Sequence, residues 1–287
     1  MSVYYMSEIK VAIIGLGFVG HAMYQSFSLK GMIRDQNLFV YDKYKDGGIG
    51  SLDQCLLAEI IFLALPTTYN QQSGQYDKQS IYEVCQKLQD CHYTGIVVIK
   101  STVEPETTNQ LSIKYGQLQF IHNPEFISAK SAFSDFHSQK HVILGRGPTC
   151  SEENLNKVKE FYEKYYSDNL GFEISLCPAL ESESMKIFVN CFYSIKIQAF
   201  TEFYCLCQKN NANFETIRHL MLKNGWINPM HTQVPGSDGS ISYGGYCFPK
   251  DTNALAKYME KKNALCKVLQ ATIEERNEMR NDHLNCQ

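Results

Sequence analysis

Short apolar runs alternate with amphipathic segments over the first half of the chain, and this alternation constrains the fold more than any other feature. Six runs have the length and composition of buried strands, at residues 10–15, 38–42, 60–65, 96–100, 119–122 and 141–144. Predicted helices between them include residues 19–30, 80–89 and 105–114, the last with Pro105 in its first turn. Because helices that connect parallel strands cover both faces of a sheet, the sequence predicts an α/β fold with a doubly wound parallel sheet.

The pattern changes after residue 149 to consecutive helical segments, predicted at residues 152–166, 180–210, 214–222 and, with breaks possible, 253–283. We therefore predict two domains, one over residues 1–178 and an all-α domain over residues 179–287. Residues 180–210 are apolar on most faces, which predicts a buried central helix of the kind that can form the core of a homodimer. The Gly-, Pro- and Ser-rich segment at residues 224–250 is too long for a simple connection and indicates a functional loop.

The charge balance excludes several classes of partner. The 287 residues contain 27 Lys and Arg against 30 Asp and Glu, so no basic field favours nucleic acid or an anionic membrane. The longest apolar stretches fall short of the roughly 18 to 20 residues that span a bilayer, and the first residues lack the pattern of a secretory signal. Eleven scattered cysteines, an odd number without a CxxC pair, favour a reducing compartment. We therefore predict a cytoplasmic protein without a metal site.

The first predicted strand leads into GLGFVG, a G-x-G-x-x-G pattern at residues 15–20 that opens a predicted helix. Glycines in this pattern let backbone amides approach a pyrophosphate. Asp42 ends the next predicted strand, 22 residues after Gly20, where a carboxylate accepts hydrogen bonds from a ribose and repels a 2′-phosphate. This context predicts a Rossmann-like domain that binds NAD rather than NADP. The alternative is a glycine turn that serves tight helix packing, with Asp42 as a solvated strand end.

A second motif, GGYCFPKD at residues 244–251, surrounds one of the cysteines. Cys247 follows a glycine pair and is followed within four residues by Lys250 and Asp251. Cationic neighbours lower the pKa of a thiol, and the thiolate is the reactive form, so Cys247 is a candidate nucleophile. A buried structural thiol is the alternative for any single cysteine.

Polar side chains interrupt the apolar long helix at Glu183, Lys186 and Asn190, a spacing that places all three on one face. They form either a structural Glu–Lys pair or a lysine and an amide that stabilise an oxygen as it gains negative charge. Two further candidates, Thr102 and Glu125, follow strands at the edge where doubly wound sheets bind ligands. Thr102 also suits a helix N-cap, and Glu125 the start of a helical turn.

Together these motifs resemble the UDP-glucose/GDP-mannose 6-dehydrogenase family in order and approximate spacing, over essentially the whole chain. The matching segments are GLGFVG, the strand-end Asp42, KSTVEPETT, HNPEFISAKSAFSDF, ESESMKIFVN and GGYCFPKD, of which the last is the most specific. The resemblance implies an NAD-binding domain, a long central helix that mediates dimerisation, and a nucleotide sugar as substrate. It also implies oxidation of the sugar C6 alcohol to a carboxylate with two NAD.

The resemblance also implies roles for individual residues. The catalytic positions are Cys247, Lys186, Asn190, Asp251, Glu125 and Thr102. The thiol adds to the aldehyde and gives a thioester, the lysine and asparagine stabilise the reacting oxygen, the glutamate and threonine orient the hydrolytic water, and the aspartate lies near the lysine and the water. The cofactor contacts are Gly15, Gly17, Phe18, Val19, Gly20, Asp42, Thr67, Thr102 and Lys250, of which Lys250 alternatively contacts a substrate phosphate.

The sequence departs from the family pattern in three places. Family members continue into a second Rossmann-like domain that holds the nucleotide, and we expect this chain, which stops at Gln287, to lack it. The loop before the cysteine has four extra residues and has Tyr246 in place of a serine. Ala129 stands where a second glutamate is usual, four residues after Glu125.

Two other functions stay open at this point. A catalytically weak NAD-binding or regulatory protein, with the missing domain supplied by a partner chain, is consistent with the shortened length. A β-hydroxyacid-type dehydrogenase shares the two-part layout and a lysine and an asparagine on the long helix. That second class has no need of Cys247.

Overall fold

A computed structural model describes residues 9–280 and 282 of the chain. They form two compact units, which are described separately. The sheet unit holds the described residues up to Thr67 together with Asp77–Met185. The helical unit holds Thr68–Tyr76 and the described residues from Lys186 onward.

The elements alternate along the chain much as the apolar pattern predicts. The strands of the main sheet are β1 (Val11–Ile14), β2 (Leu38–Asp42), β3 (Ile49–Gly50), β4 (Ile60–Leu63), β7 (Ile96–Ile99), β8 (Gln119–His122), β9 (His141–Arg146) and β10 (Glu173–Pro178), and a separate hairpin consists of β5 (Tyr69–Asn70) and β6 (Gln75–Tyr76). The helices are α1 (Phe18–Leu29), α2 (Leu52–Cys55), α3 (Gln79–Asp90), α4 (Thr107–Lys114), α5 (Ala132–His137), α6 (Glu152–Tyr166), α7 (Ala179–Lys209), α8 (Phe214–Lys223), α9 (Cys247–Lys261) and α10 (Lys267–Met279), with a 3₁₀ turn at Lys45–Gly47.

The eight-stranded sheet has the order β10-β9-β8-β7-β4-β1-β2-β3. Neighbouring strands are parallel except at β8–β9 and β2–β3. Because β1 lies between β4 and β2, the order of connection reverses there, and the carboxyl ends of β1 and β4 border the crevice where open α/β sheets bind ligands. The predicted fold class, a doubly wound α/β sheet followed by helices around a long helix, is confirmed.

The central strands are buried on both faces. In β1, Val11 and Ile13 belong to one apolar cluster while Ala12 and Ile14 belong to the cluster on the opposite face, and all four are at most 1% exposed. Strands buried on both sides are continuously apolar, which is why the sequence pattern indicates them so clearly.

The structure corrects several predicted boundaries. The α/β alternation does not end at residue 149, because β10 follows α6 and pairs in parallel with β9. Helix α4 begins at Thr107, so Pro105 precedes the helix instead of lying in its first turn. The predicted helical segment at residues 253–283, for which breaks are possible, divides into α9 and α10, and α9 begins earlier than predicted, at Cys247. The last four residues of that predicted helix include positions outside the described residues.

The helical unit has its own core, in which the hairpin takes part. Its main apolar cluster contains Tyr69, Tyr76, Ile187, Cys191, Ala254, Leu255, Ala256 and Leu269. Hairpin residues therefore pack with α7, α9 and α10. This hairpin could not be predicted from the sequence, because its two-residue strands are too short to show a period.

Within a single chain the long helix is buried on only part of its surface. Ile187 is fully buried, but Phe188 and Phe192 are 54% and 62% exposed. The homodimer stays a prediction. No helix within residues 9–280 is both long enough and apolar enough to cross a membrane.

Candidate active site

The glycine-rich turn after β1 requires glycine at two of its three glycine positions. Gly15 has a φ of +94°, and a Cβ there would lie 2.4 Å from the carbonyl oxygen of Ala64, just beyond β4. A Cβ at Gly20 would lie 1.8 Å from the carbonyl oxygen of Gly15. A Cβ at Gly17, in contrast, would meet no atom within 4 Å. The turn is therefore tightly packed at its two ends and open in the middle.

The open middle of the turn coincides with the start of α1. The helix begins at Phe18 with Gly17 as its N-cap, and no side chain makes a capping hydrogen bond. The first amides of such a helix can donate to an anion. Phe18 is 72% exposed and Val19 is half-buried. The turn thus has the shape and the donors that the pyrophosphate of a dinucleotide requires.

Asp42, at the end of β2, is bonded to the backbone of the glycine-rich turn. Its Oδ2 accepts the N–H of Leu16 at 2.7 Å, and its Oδ1 accepts the N–H groups of Tyr44 at 3.0 Å and Lys45 at 2.9 Å. Partial burial raises the pKa of this carboxyl, but the backbone donors outweigh burial and hold the pKa below its ordinary value. Asp42 is an ordered carboxylate and not a solvated strand end. Its contact with a ribose stays a prediction.

Hydroxyl groups join β4 and β7 just beyond their carboxyl ends. Thr67 Oγ1 donates to the carbonyl oxygen of Thr102 at 2.8 Å, and Ser101 Oγ donates to that of Leu65 at 2.7 Å. These bonds fix the backbone beside the crevice. Thr102 is not a helix N-cap, because α4 begins five residues later at Thr107. The contacts of Thr67 and Thr102 with the cofactor stay predictions.

Glu125 lies in the loop after β8 and does not begin a helical turn. Its Oε2 accepts the N–H of Ile127 at 2.8 Å, and the residue is half-buried. Buried Lys100 anchors the start of the loop, since its Nζ donates to Asn123 Oδ1 at 3.0 Å and to the carbonyl oxygen of Pro124 at 3.4 Å. The loop therefore holds the Glu125 carboxylate in a defined orientation.

Cys247 is the first residue of α9, and its side chain is exposed. A helix N-terminus and a nearby ammonium both favour a thiolate. Lys250 lies three residues later on the same helix, and its ammonium interacts electrostatically with the thiol. Cys247 is therefore not a buried structural thiol. Among the described cysteines Cys91, next to α3, is also exposed, and within residues 9–280 and 282 no three His, Cys, Asp or Glu side chains are placed to hold a metal ion.

A buried ion pair follows Cys247 on α9. Lys250 Nζ lies 2.5 Å from Asp251 Oδ1, and the two side chains are 4% and 0% exposed. Asn190 Nδ2, on α7, donates to Asp251 Oδ2 at 2.6 Å. Tyr76 OH, on β6, donates to Asp251 Oδ1 at 2.5 Å. The structure thus brings together three predicted site residues and adds a tyrosine.

Tyr76 is a site residue that the sequence did not predict. The stretch NQQSGQY is a recognisable turn, with Gly74 at a positive φ, but nothing in it indicates a partner 175 positions along the chain. Such a contact follows from tertiary packing alone, because the hairpin packs within the helical unit.

Lys186 and Asn190 lie one turn apart on α7 and are 6% and 7% exposed. Glu183, one turn earlier, binds the start of α4 in the sheet unit: its Oε1 accepts the N–H and the hydroxyl of Thr108 at 2.7 and 2.6 Å. Burial raises the pKa of Glu183 to about 7, against the opposing effect of these hydrogen bonds. Of the three polar residues on this face, Lys186 and Asn190 remain the candidates for the chemistry.

The segment after α10 holds the long loop that precedes Cys247. Arg280 Nη2 lies 2.5 Å from Asp238 Oδ2, and its Nη1 donates to the carbonyl oxygen of Ser242 at 3.1 Å. The guanidinium lowers the pKa of Asp238 through this hydrogen bond. A Cβ at Gly244 would lie 2.6 Å from Arg280 Cζ, so the loop packs directly on the guanidinium. This part of the loop is thus anchored by Arg280.

Two family models match the chain. Residues 51–166 match the model described as the UDP-glucose/GDP-mannose dehydrogenase family, NAD binding domain, and residues 180–278 match the model of the central domain of that family. The first match confirms the predicted cofactor, NAD, for this type of domain.

The chain is similar to curated proteins named UDP-glucose 6-dehydrogenase. It is 26% identical over 297 residues to the one from Campylobacter jejuni, and the match covers 92% of this chain and 72% of that protein. Other relatives of the same name are matched over a smaller share, 47% to 48% of their length. The chain therefore spans about half the length of several of the relatives it matches.

Two solved structures show how widely this fold is shared. A UDP-glucose dehydrogenase from the archaeon Pyrobaculum islandicum has a TM-score of 0.78 at 18% identity, covering 97% of this chain and 70% of that one. The 3-hydroxyisobutyrate dehydrogenase of Mycobacterium tuberculosis has a TM-score of 0.71 at 13% identity, covering 96% and 95%. At these identities the likeness concerns the fold alone.

Proposed function

Because the chain belongs to the UDP-glucose/GDP-mannose dehydrogenase family, we propose that it oxidises the C6 alcohol of a nucleotide sugar to a carboxylate with NAD. A UDP-glucose-like sugar is the proposed substrate, since the relatives carry that name. One observation supports this chemistry above all: Cys247 is exposed at the start of α9, with the buried Lys250–Asp251 pair in the next turn.

Cys247 is proposed to supply the covalent step. NAD, when bound, accepts a hydride in each of the two oxidations. After the alcohol has become an aldehyde, the Cys247 sulfur adds to its carbon, and the oxygen takes up a proton to give a thiohemiacetal. Loss of a hydride from that carbon and of a proton from the oxygen gives a thioester. Water then displaces the sulfur, which releases the carboxylate and regenerates the thiol.

Lys186 and Asn190 are proposed to stabilise the reacting oxygen while it carries negative charge, because buried ammonium and amide donors act strongly on such a charge. The hydrogen bond to Asp251 fixes the orientation of the Asn190 amide. Glu125 and Thr102 are proposed to orient the hydrolytic water, and the anchored loop around Glu125 supports an ordered carboxylate.

We also propose a cytoplasmic homodimer in which the exposed face of α7 is covered. Phe188 and Phe192 lie one turn apart on this face and are largely exposed. Large exposed aromatic side chains on one helix face favour association.

Stoichiometry tests the proposed reaction. With NAD and UDP-glucose we expect two NADH for each sugar oxidised, and no net turnover for Cys247→Ala. Cys91→Ala is the matched control, because Cys91 is also an exposed thiol, and it is expected to leave turnover unchanged. Complete four-electron oxidation by Cys247→Ala would contradict the proposal. One NADH per turnover, insensitive to alkylation, would instead indicate a β-hydroxyacid-type dehydrogenase.

A thermal-shift screen identifies the substrate class. NAD alone, and NAD with single nucleotide sugars, raise the melting temperature by mass action where they bind the folded chain. A further rise with one UDP- or GDP-sugar identifies the substrate. A rise with NAD alone, without NADH formation from any sugar, would indicate the regulatory or catalytically weak protein.

A further inference from the structure

We propose that Tyr76 is a positioning residue that holds the Lys250–Asp251 pair in place for Cys247. The inference rests on the proposed function, since it gives Tyr76 a part in preparing the reactive thiol. Tyr76 lies on the hairpin strand β6, far in sequence from the motif that carries Cys247.

One tyrosine contacts both charges of the pair. Its hydroxyl donates to Asp251 Oδ1 at 2.5 Å, and Lys250 Nζ lies 4.5 Å from the centroid of its ring. A hydroxyl donor stabilises a carboxylate, and the face of an aromatic ring attracts an ammonium. Tyr76 is 3% exposed, so water does not compete for either contact.

The pair depends on such contacts because it is removed from water. A buried ion pair is tolerated when further hydrogen bonds, in addition to the partner charge, satisfy each ion. Asp251 Oδ1 accepts hydrogen bonds from Lys250 and Tyr76, and Asp251 Oδ2 accepts one from Asn190. Loss of the Tyr76 hydroxyl would remove one of these donors from a carboxylate that is 0% exposed.

The effect can reach Cys247 through Lys250. Burial alone would lower the pKa of Lys250, but the Asp251 carboxylate outweighs it, with further contributions from Cys247 and Tyr246, so the pKa is raised. Because the interaction is mutual, the ammonium favours the Cys247 thiolate. The Tyr76 hydroxyl places a positive hydrogen on the Asp251 carboxylate. Without it, more of the negative potential of the carboxylate reaches the thiol, and this disfavours the thiolate.

The hairpin is packed closely enough to act as a support. Gly74, in its turn, has a φ of +66°, and a Cβ there would lie 3.1 Å from Cγ of Lys257 on α9. Tyr76 pairs across the hairpin with Tyr69, which belongs to the same apolar cluster. The backbone and side chains of the hairpin thus hold Tyr76 against α9, the helix that carries the ion pair.

The test measures the alkylation of Cys247 by iodoacetamide, followed by peptide mass spectrometry. Tyr76→Phe keeps the ring and removes the hydroxyl, and we expect alkylation at neutral pH to slow by about threefold to tenfold, as for loss of about one hydrogen bond. The pH of half-maximal rate should rise. Tyr69→Phe removes a hydroxyl from the opposite hairpin position and should leave the alkylation rate of Cys247 unchanged. The alkylation rate of Cys91 should be unchanged in both variants.

A double-mutant cycle decides whether Tyr76 acts through Asp251. In an Asp251→Asn background, Tyr76→Phe should change the alkylation rate less than twofold, because the charged acceptor is gone. An unchanged rate in the single variant, or an equal slowing in both backgrounds, would overturn the inference. Alkylation needs no turnover, so absence of NADH formation by the unmodified chain bears on the proposed function and leaves this test intact.

Discussion

Replacing Glu183 by glutamine should change how stability depends on pH. Glu183 is fully buried, and its pKa rises from an ordinary 4.5 to about 7 in the folded chain. Between these values the folded state holds a proton that the unfolded chain has released, so stability falls as pH rises through this window. At about 1.4 kcal/mol per pH unit, the loss amounts to about 3 kcal/mol.

Glutamine keeps the shape of the side chain and an oxygen for the two Thr108 donors, but it cannot ionise. The free energy of unfolding of the unmodified chain, relative to Glu183→Gln, should therefore fall by about 3 kcal/mol between about pH 4.5 and 7.5. Urea titrations at several pH values measure this difference.

Glu181→Gln is the matched control, since Glu181 is an exposed carboxylate on the same helix. Its stability relative to the unmodified chain should vary by less than about 0.5 kcal/mol over the same range. A flat difference for Glu183→Gln, or a difference that grows in favour of the unmodified chain as pH rises, would refute the reasoning.

Two further predictions concern the cofactor turn and the loop before Cys247. Gly20→Ala forces a Cβ to within 1.8 Å of a carbonyl oxygen, so it should cost about 3 kcal/mol of stability or more. Gly17→Ala meets no atom of the chain, so it should keep the melting temperature. Because its Cβ would stand where the pyrophosphate is expected to approach the turn, it should reduce the thermal shift that NAD produces. Arg280→Ala removes the ion pair with Asp238 and the hydrogen bond to the carbonyl oxygen of Ser242. Amide hydrogen exchange at residues 236–244 should therefore accelerate at least about tenfold, as for the loss of about 1.4 kcal/mol. Arg280→Lys should accelerate exchange less, and equal exchange in Arg280→Ala and the unmodified chain would show that the anchor is dispensable.

The parts of the fold that follow from local sequence were predictable. The parts that depend on which element packs over which were not. The central strands are buried on both faces, so their residues are continuously apolar. Strand β10 lies at the sheet edge with most of its residues exposed, and EISLCP therefore has no such pattern. Similarly, the apolar composition of α7 predicts burial, but what covers a helix is a matter of tertiary packing, and Phe188 and Phe192 are exposed.

The candidate site divides in the same way. The glycine turn and GGYCFPKD are contiguous motifs whose chemistry depends on residues a few positions apart, so the sequence indicates both. Glu183 instead bonds Thr108, a residue 75 positions away, and Tyr76 bonds Asp251 at a separation of 175. No periodicity reports on contacts of this range.

The hairpin of β5 and β6 makes neither compact unit a continuous stretch of chain. The polypeptide passes from one unit to the other after Thr67, after Tyr76 and after Met185. A single proteolytic cut therefore does not separate the two units cleanly, because a cut after Met185 leaves the hairpin with the sheet unit. A fragment truncated at residue 185 would carry the hairpin tyrosines without the helices on which they pack. The complementary fragment would lack the Tyr76 donor to its buried Asp251 carboxylate, so we expect it to be less stable than the helical unit of the intact chain.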